Sequence, residues 1–239
     1  MTDDEGRVAR PDSPASPPAK RPGPRDRLII AAARLFAQHG FEAVSLRQIG
    51  TTAGQRNTNA VRYHFGTKER LIEAIFERHQ ARLESVRRAM LDSIPAPRGP
   101  EAIDTLLAII VLPPFAIVDE DERYNYIKLI SEYLNRQRDS GMRHPLDYAT
   151  DLLPALVEAR DALRSLLGLP DEIFDFRTQM VVGMAFQAVI QRRVRLASGL
   201  PCPAEQVLID DIMSMVGAAM QAEQGAIATP SANFSDFFI

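Results

Sequence analysis

Residues 45–71 read SLRQIGTTAGQRNTNAVRYHFGTKERL, and this stretch decides the fold of the N-terminal part of the chain. Ser45 is a favourable N-cap for a short helix, and Gly54 ends that helix in a tight turn. A second short helix follows, and it ends in Tyr-His-Phe just before Gly66. The stretch therefore predicts two short helices joined by a turn, over residues 46–53 and 58–64.

Helical patterns continue on both sides of this pair. An apolar stripe at helical spacing precedes it and stops at Gly40; its members are Leu28, Ala31, Ala32, Leu35 and Phe36. Thr67 is the expected N-cap of a longer fourth helix, whose stripe is Ile72, Ile75, Phe76, His79, Leu83, Val86 and Met90. Pro- and Gly-rich breaks separate five further candidate helices, at residues 101–111, 121–138, 146–167, 171–198 and 204–222. With no alternating strand pattern, the sequence predicts an all-α fold.

Three short helices with a tight turn between the second and the third are typical of a helix-turn-helix. In this motif one helix enters the major groove of DNA and the preceding helix braces it from behind. Leu46, Ile49 and Ala53 form the expected inner face of the bracing helix, while Val61 and Phe65 anchor the reading helix. The outer face of the reading helix then carries small or hydrogen-bonding residues and no acid: Thr58, Asn59, Ala60, Arg62, Tyr63 and His64.

Residues 27–76 resemble the N-terminal domain of TetR/AcrR-type transcriptional regulators. The matching pieces are AARLFAQHGF at 32–41, SLRQIG at 45–50, Ala53-Gly54, and YHFGTKERL at 63–71. The Phe-x-x-x-Gly-Phe helix end combined with Tyr-His-Phe and the Lys-x-x-Leu after it is far more specific than a bare helix-turn-helix pattern. The resemblance covers about 50 of the 239 residues, and the remainder matches only in helical character.

The chain departs from the family pattern at the turn. Family members usually have ten steps from the turn glycine to the Phe of Tyr-His-Phe, whereas Gly54 to Phe65 is eleven steps. The extra residue lies within residues 55–59, so either the turn is longer or the reading helix begins one residue earlier. A milder departure is Gly50, which stands where a small Ala is common.

The resemblance implies a set of DNA contacts in and around the two short helices: Ser45, Arg47, Thr58, Asn59, Arg62, Tyr63, His64 and Lys68. Arg62 is suited to a bidentate contact with guanine, and Asn59 to an adenine edge. Arg47 can reach a phosphate or a guanine edge from the first turn of the bracing helix. Lys68 begins the fourth helix, where backbone amides also favour phosphate.

Charge is distributed unevenly along the chain. Residues 20–88 carry fourteen Lys and Arg against six Asp and Glu, a net charge of +8 within a chain of net charge −3. A basic segment joined to an acidic remainder indicates that one end meets a polyanion. Residues 1–24 are predicted to form a disordered, Pro-rich tail. The basic stretch 20–25, at the junction with the first helix, either lies along DNA or in a minor groove, or is a solvated linker.

The C-terminal half predicts a dimer and a pocket. Residues 180–190 are apolar around almost the whole helix, and residues 207–220 carry a similarly wide stripe, so both helices need neighbours on two sides. In the resembled family, such helices pair with their copies across a two-fold axis. The alternative is that both helices lie at the centre of a monomeric core. Candidate pocket residues are aromatic, Met and His side chains with few fixed charges: Phe115, Tyr124, Tyr126, Tyr133, His144, Met184 and Phe186. Core filling remains the alternative role for each of them.

The sequence argues against several other classes of protein. No two of the four His residues have ligand spacing with a supporting carboxylate, and Cys202 is alone, so we expect no metal and no cofactor. There is no phosphate-binding glycine loop and no nucleophile elbow, so an enzyme is not expected. The longest apolar run is too short to cross a bilayer and no secretory signal is visible, so a cytoplasmic protein is expected.

The predicted organisation is a tail at 1–24, a three-helix helix-turn-helix DNA-binding domain at 25–70, a helical ligand-binding and dimerisation domain at 71–223, and a C-terminal tail at 224–239. The predicted function is that of a homodimeric transcriptional repressor. A small apolar or amphipathic effector would release it from a palindromic DNA operator. The alternative is a DNA-binding protein without a small-molecule ligand, which is constitutive or controlled by a protein partner.

Overall fold

The computed structural model describes residues 22–55, 57, 59–94, 99–135 and 150–223. Within these ranges the chain forms nine α-helices and no strand, which confirms the predicted all-α fold. The helices are α1 (Pro24–His39), α2 (Leu46–Thr52), α3 (Ala60–Phe65), α4 (Lys68–Asp92), α5 (Ile103–Val111), α6 (Glu120–Asn135), α7 (Pro154–Leu167), α8 (Asp171–Ala197) and α9 (Glu205–Gln221). Thr58, His144, residues 1–21 of the N-terminal tail and the tail at 224–239 lie outside the described residues.

Local signals place the ends of α1 and α2 where the sequence predicts them. Gly40 ends α1 with a φ of 80°, a conformation that residues with a Cβ rarely adopt, and its amide donates to the carbonyl of Phe36 at 2.8 Å. Ser45 caps α2 through a capping box with Gln48. These two ends fix how the bracing helix leaves the first helix.

The start of α3 differs from the prediction. The helix begins at Ala60, two residues after the expected Thr58. The side-chain oxygen of Asn57 accepts a hydrogen bond from the amide of Asn59 at 2.9 Å, and this local turn competes with helix. The reading helix therefore does not begin earlier, and the extra residue relative to the family pattern precedes Ala60, in a segment of which residues 56 and 58 lie outside the described part of the chain.

Helix α4 has 25 residues, about 37 Å at 1.5 Å per residue, and connects the N-terminal helices to the rest of the chain. Its buried face follows the predicted stripe through Leu83, except that His79 is half-buried, and then diverges from it. Arg87 and Leu91 are buried, whereas the predicted Val86 and Met90 are only half-buried. The prediction followed apolar side chains, but the face packed against other helices includes a charged one.

Helix α7 begins later than predicted, at Pro154 instead of residue 146. Pro154 stands in the first turn, where its missing amide and fixed φ suit a helix start, and a 3₁₀ turn at Thr150–Leu152 precedes it. The segment before residue 150 is not described. Elsewhere the predicted helices agree with the observed ones to within three residues at most ends.

Two apolar cores fill the molecule. The first is formed by α1–α4 together with α6 and Phe186 of α8, and the second by the end of α4 with α5, α7, α8 and α9. Helix α6 packs directly against α1. Because the first core continues across residue 70, the helix-turn-helix and the following helices share buried side chains, and the boundary at that residue stays a prediction. No helix in the described part of the chain has the length and apolarity to span a membrane.

Candidate DNA interface and central cavity

The second and third helices form a small platform with one buried face and one exposed face. Ile49 and Val61 are completely buried and Ala53 nearly so, which seats both helices on the first core. Arg62 and Tyr63 lie on the opposite face, and the Tyr63 ring is 84% exposed. Burying an aromatic ring is normally favourable, so such exposure on a helix held rigidly from behind indicates a surface built for contact.

The structure places the predicted DNA-contacting residues at the solvent-accessible surface of this platform, with one revision to the expected outer face. Five of them are exposed and two are half-buried: Ser45, Arg47, Asn59, Arg62 and Tyr63, then His64 and Lys68. Thr58 is outside the described residues. Ala60, expected on the outer face, is buried at 7% exposure because α3 begins at that residue and turns it inward.

Ser45 acts on the position of α2. Its hydroxyl oxygen accepts from the Gln48 amide at 3.2 Å and donates to the side-chain oxygen of Gln48 at 2.8 Å. Its own amide also donates to that oxygen, at 2.8 Å. With its hydroxyl proton engaged inside the chain, Ser45 serves first to fix the turn that presents Arg47.

Two cationic side chains near the platform make cation–π contacts with aromatic rings. The Lys68 ammonium lies 5.6 Å from the ring centroid of Phe36, and the Arg25 guanidinium 5.1 Å from that of Phe65. Arg25, assigned to the basic tail by the sequence, is therefore part of the first turn of α1. At the start of α4, backbone and Thr67 hydrogen bonds hold the pKa of Glu69 below its ordinary value.

The charged side chains of the platform are all positive. Residues 43–68 contain no Asp or Glu, while Arg47, Arg62 and Lys68 contribute positive charge. A phosphate backbone meets no repelling carboxylate along this stretch, and the positive groups gain from counterion release. The arrangement can therefore receive a duplex, with α3 towards the bases and the start of α4 towards a phosphate.

Further along the chain, α4–α8 surround a cavity of about 780 Å³. Three of the predicted pocket residues line it: Tyr126, Tyr133 and Phe186. Phe115 and Tyr124 instead line a second cavity, of about 400 Å³, between α6, α8 and α9. Met184 lines neither of these two and packs against the second core, and His144 lies outside the described residues. The structure thus divides the predicted pocket set between two places.

The larger cavity also carries charges that the sequence analysis missed. Arg87, Arg160 and Arg164 lie on its wall with a single carboxylate, Asp175. The expectation of few fixed charges is therefore wrong for this cavity as the structure shows it. A usable signal existed for one of these residues, since Arg87 follows Leu83 by four positions on the inward face of α4.

Among the described residues, no group of three His, Cys, Asp or Glu side chains is arranged to hold a metal ion. The cavity wall presents guanidinium, phenol, hydroxyl, amide and carboxylate groups beside apolar side chains.

Comparison with known proteins agrees with this geometry. Residues 28–75 match the family model "Bacterial regulatory proteins, tetR family". The HTH-type transcriptional repressor AcnR of Corynebacterium glutamicum is 34% identical over 62 residues, which are 26% of this chain and 32% of that protein. AcnR of Corynebacterium diphtheriae gives the same values. The match therefore spans about a third of the length of these curated relatives.

Solved structures share the fold over most of the chain. A TetR family transcription regulator from Marinobacter aquaeolei VT8 superposes with a TM-score of 0.53 at 15% identity, over 82% of this chain and 94% of that chain. The fatty acid degradation regulator FadR from Bacillus halodurans does so with a TM-score of 0.52 at 14% identity, over 85% and 99%. The family match lies on the helices that form the platform, and the likeness in fold extends beyond them to most of the chain.

Proposed function

We propose that this protein is a homodimeric, DNA-binding transcriptional repressor that a small molecule releases from its operator. The observation that carries the proposal is the platform of α2 and α3. Its inner side chains Ile49 and Val61 are fully buried, its outer side chains include an exposed Arg62 and Tyr63, and residues 43–68 hold no acid. A rigidly seated helix with such a face fits the major groove.

Exposed apolar side chains support the dimer. Helices α8 and α9 carry several at about half exposure or more: Phe176, Met180, Val194, Leu196, Val207 and Met215. Large apolar side chains concentrated on two neighbouring helices mark an interface, since a monomer gains nothing by exposing them. A two-fold dimer presents two reading helices and selects a near-palindromic site, with half-sites about one helical turn or a multiple apart.

Two connections support release by an effector bound among α4–α8. Helix α4 runs from the platform at Lys68 to the cavity wall at Arg87. Helix α6 carries Tyr126 and Tyr133 on the cavity and packs against α1. Arg78 joins these elements, since it bonds to Asp26 of α1 at 3.3 Å and to Glu122 of α6 at 2.9 Å.

An effector that tilts α4 or shifts α6 therefore changes the position of the platform, and in a dimer it changes the separation of the two reading helices. The half-site spacing of DNA is fixed, so the shifted dimer loses phosphate contacts. The effector needs only to prefer the DNA-incompetent state, typically by about 1–3 kcal/mol.

The decisive experiment selects binding sites for the full-length protein from a random pool of DNA duplexes. We expect enrichment of an inverted repeat, bound by one dimer. Recovery of no common sequence would refute site-specific DNA binding. Titration of an effector with and without the selected DNA then tests release, because linkage requires DNA to weaken effector binding by the same factor. Equal effector affinity in both titrations would favour a DNA-binding protein controlled without a small-molecule ligand.

A further inference from the structure

The wall of the large cavity contains an incompletely paired buried cation. Arg87 is 5% exposed, and the carboxylate of Glu84 accepts from its Nη1 at 3.3 Å. The other oxygen of Glu84 accepts from the backbone amide of Ala155. The Nε of Arg87 is buried and has no hydrogen-bond partner among the described residues. A guanidinium has five donors, and the contact with Glu84 leaves at least the Nε donor of Arg87 unused.

A phenol donor lies beside this guanidinium. Tyr126 is 2% exposed, and its hydroxyl oxygen accepts from the side-chain amide of Gln80 at 3.2 Å, which leaves the hydroxyl proton free to be donated elsewhere. Burial raises the pKa of Tyr126 and lowers that of Arg87, while their mutual proximity opposes both shifts. Two buried donors that interact electrostatically thus line the same cavity.

Two further guanidinium groups line the same cavity. Arg160 and Arg164 both donate to one oxygen of Asp175, each at 2.9 Å. The Nε atoms of both are buried and lack partners within the described part of the chain. Three arginines thus share the cavity with a single lining carboxylate, and their unused donors favour an anion.

Apart from Thr178 and Gln179, the rest of the lining is apolar, with Ile110, Ile130, Leu156, Val182 and Phe186 among its members. From this arrangement we infer that the cavity binds an anionic amphiphile, whose compact anionic head, such as a carboxylate, is held by Arg87 and Tyr126 and whose aliphatic body lies against these side chains. The inference rests on the proposed function for its regulatory meaning, but the binding itself is independent of DNA. The volume of about 780 Å³ lies within the range of small-molecule sites.

The test uses three probes that differ only in the head group: decanoate, decanol and decylamine. Binding to the full-length protein is measured by equilibrium dialysis at pH 7.5, where decanoate is anionic and decylamine cationic. We expect decanoate to bind about tenfold or more tightly than decanol, because a charge-assisted hydrogen bond is worth that factor. Decylamine should bind most weakly.

Variants assign the discrimination to Arg87. R87M should lower decanoate affinity by about tenfold or more and leave decanol affinity unchanged. R87K keeps the charge, and its affinity for decanoate should lie between those of the parent protein and R87M. R88Q is the matched control, because Arg88 is the next residue of α4 and pairs with Glu158 at the surface; it should behave as the parent protein. If R87M does not fold, the double variant E84Q/R87M removes both members of the buried pair together.

Equal affinity of the parent protein for decanoate and decanol overturns the inference, as does the binding of none of the three probes. A loss of decanoate and decanol binding to the same degree in R87M also overturns it, since that pattern reports a structural role. The proposed function is judged separately. Selective decanoate binding without release of DNA upholds the site and refutes decanoate-type release. Sequence-specific DNA binding without decanoate binding upholds the regulator and refutes the site.

Discussion

The cap of α2 offers a direct test of how the DNA platform is built. Ser45→Ala removes the hydroxyl that accepts from the Gln48 amide and donates to the Gln48 side chain. The hydrogen bond from the Ser45 backbone amide to the same side chain involves no atom that the substitution deletes. Half of the capping box therefore survives, and the variant isolates the hydroxyl.

The expected cost follows from these contacts. Loss of an N-cap hydroxyl lowers the free energy of unfolding by about 1 kcal/mol. Helix α2 has only seven residues, so fraying of its first turn affects a large part of it, including Arg47. If the frayed turn must re-form on DNA, affinity for a selected operator falls by up to the same free energy, about fivefold.

Urea unfolding measures the free energy, and titration of a selected DNA duplex at fixed salt measures the affinity. Ser45→Gly is the informative partner, because Gly at an N-cap costs only a few tenths of a kcal/mol although it also lacks the hydroxyl. A capping role predicts that Ser45→Gly stays close to the parent protein in both assays. If both variants lose DNA affinity equally while stability is unaffected, the hydroxyl contacts DNA itself and the capping argument is refuted.

Three further predictions concern the platform, the dimer and pH. Arg62→Ala should lower the binding free energy by about 1–3 kcal/mol at one base pair and so change the selected DNA sequence. Lys68→Ala should weaken binding to all DNA sites alike and reduce by about one the slope of log affinity against log salt concentration. If both variants lose affinity equally for all sequences, the assigned register of α3 is refuted. Met180 is exposed on α8, so light scattering should show that Met180→Lys is monomeric. Val118 is exposed outside α8 and α9, so Val118→Lys should remain dimeric. If Met180→Lys is still dimeric, α8 is not part of the interface. Burial lowers the pKa of His79 in the folded state. As pH falls, the unfolded chain therefore binds a proton at His79 before the folded protein does. The free energy of unfolding then decreases below about pH 6.5. His79→Gln should flatten that decrease in urea unfolding between pH 7.5 and 5.5, and an unchanged slope would exclude His79 as its source.

The elements that the sequence predicts well are those with strong local signals. Gly40, Ser45 and Thr67 each mark a helix end through backbone conformation or a side-chain cap, and the structure places helix ends at all three. The start of α3 was less predictable, because two opposing local signals overlap there. The Asn57 side chain holds a turn at the point where the helical pattern would otherwise continue.

The cavity could not be predicted in the same way, because its members come from five helices far apart in sequence. Aromatic residues were chosen as candidates for their size, and packing then divided them: Tyr126 and Tyr133 reached the large cavity while Phe115 and Tyr124 reached the smaller one. Single-sequence patterns show which face of a helix is buried but not which buried face meets a void. Arg87 was missed for a related reason, since periodicity weighted by hydrophobicity passes over a charged residue on an inward face.

Arg87 lies on the helix that links the cavity to the DNA platform. Arg87 stands on the wall of the cavity on α4, and Arg78, nine positions earlier on that helix, bonds to both α1 and α6. An anion that draws the Arg87 guanidinium away from Glu84 also affects the contact of Glu84 with the first turn of α7, at the amide of Ala155. In the proposed mechanism, one ligand contact would therefore act on α4 and α7 together, while the aromatic side chains of α6 would respond to the ligand body. Because α4 and α6 both pack against α1, a displacement of either helix would reach the platform through α1, and we expect a ligand that moves both helices to shift the platform more than one that moves α4 alone.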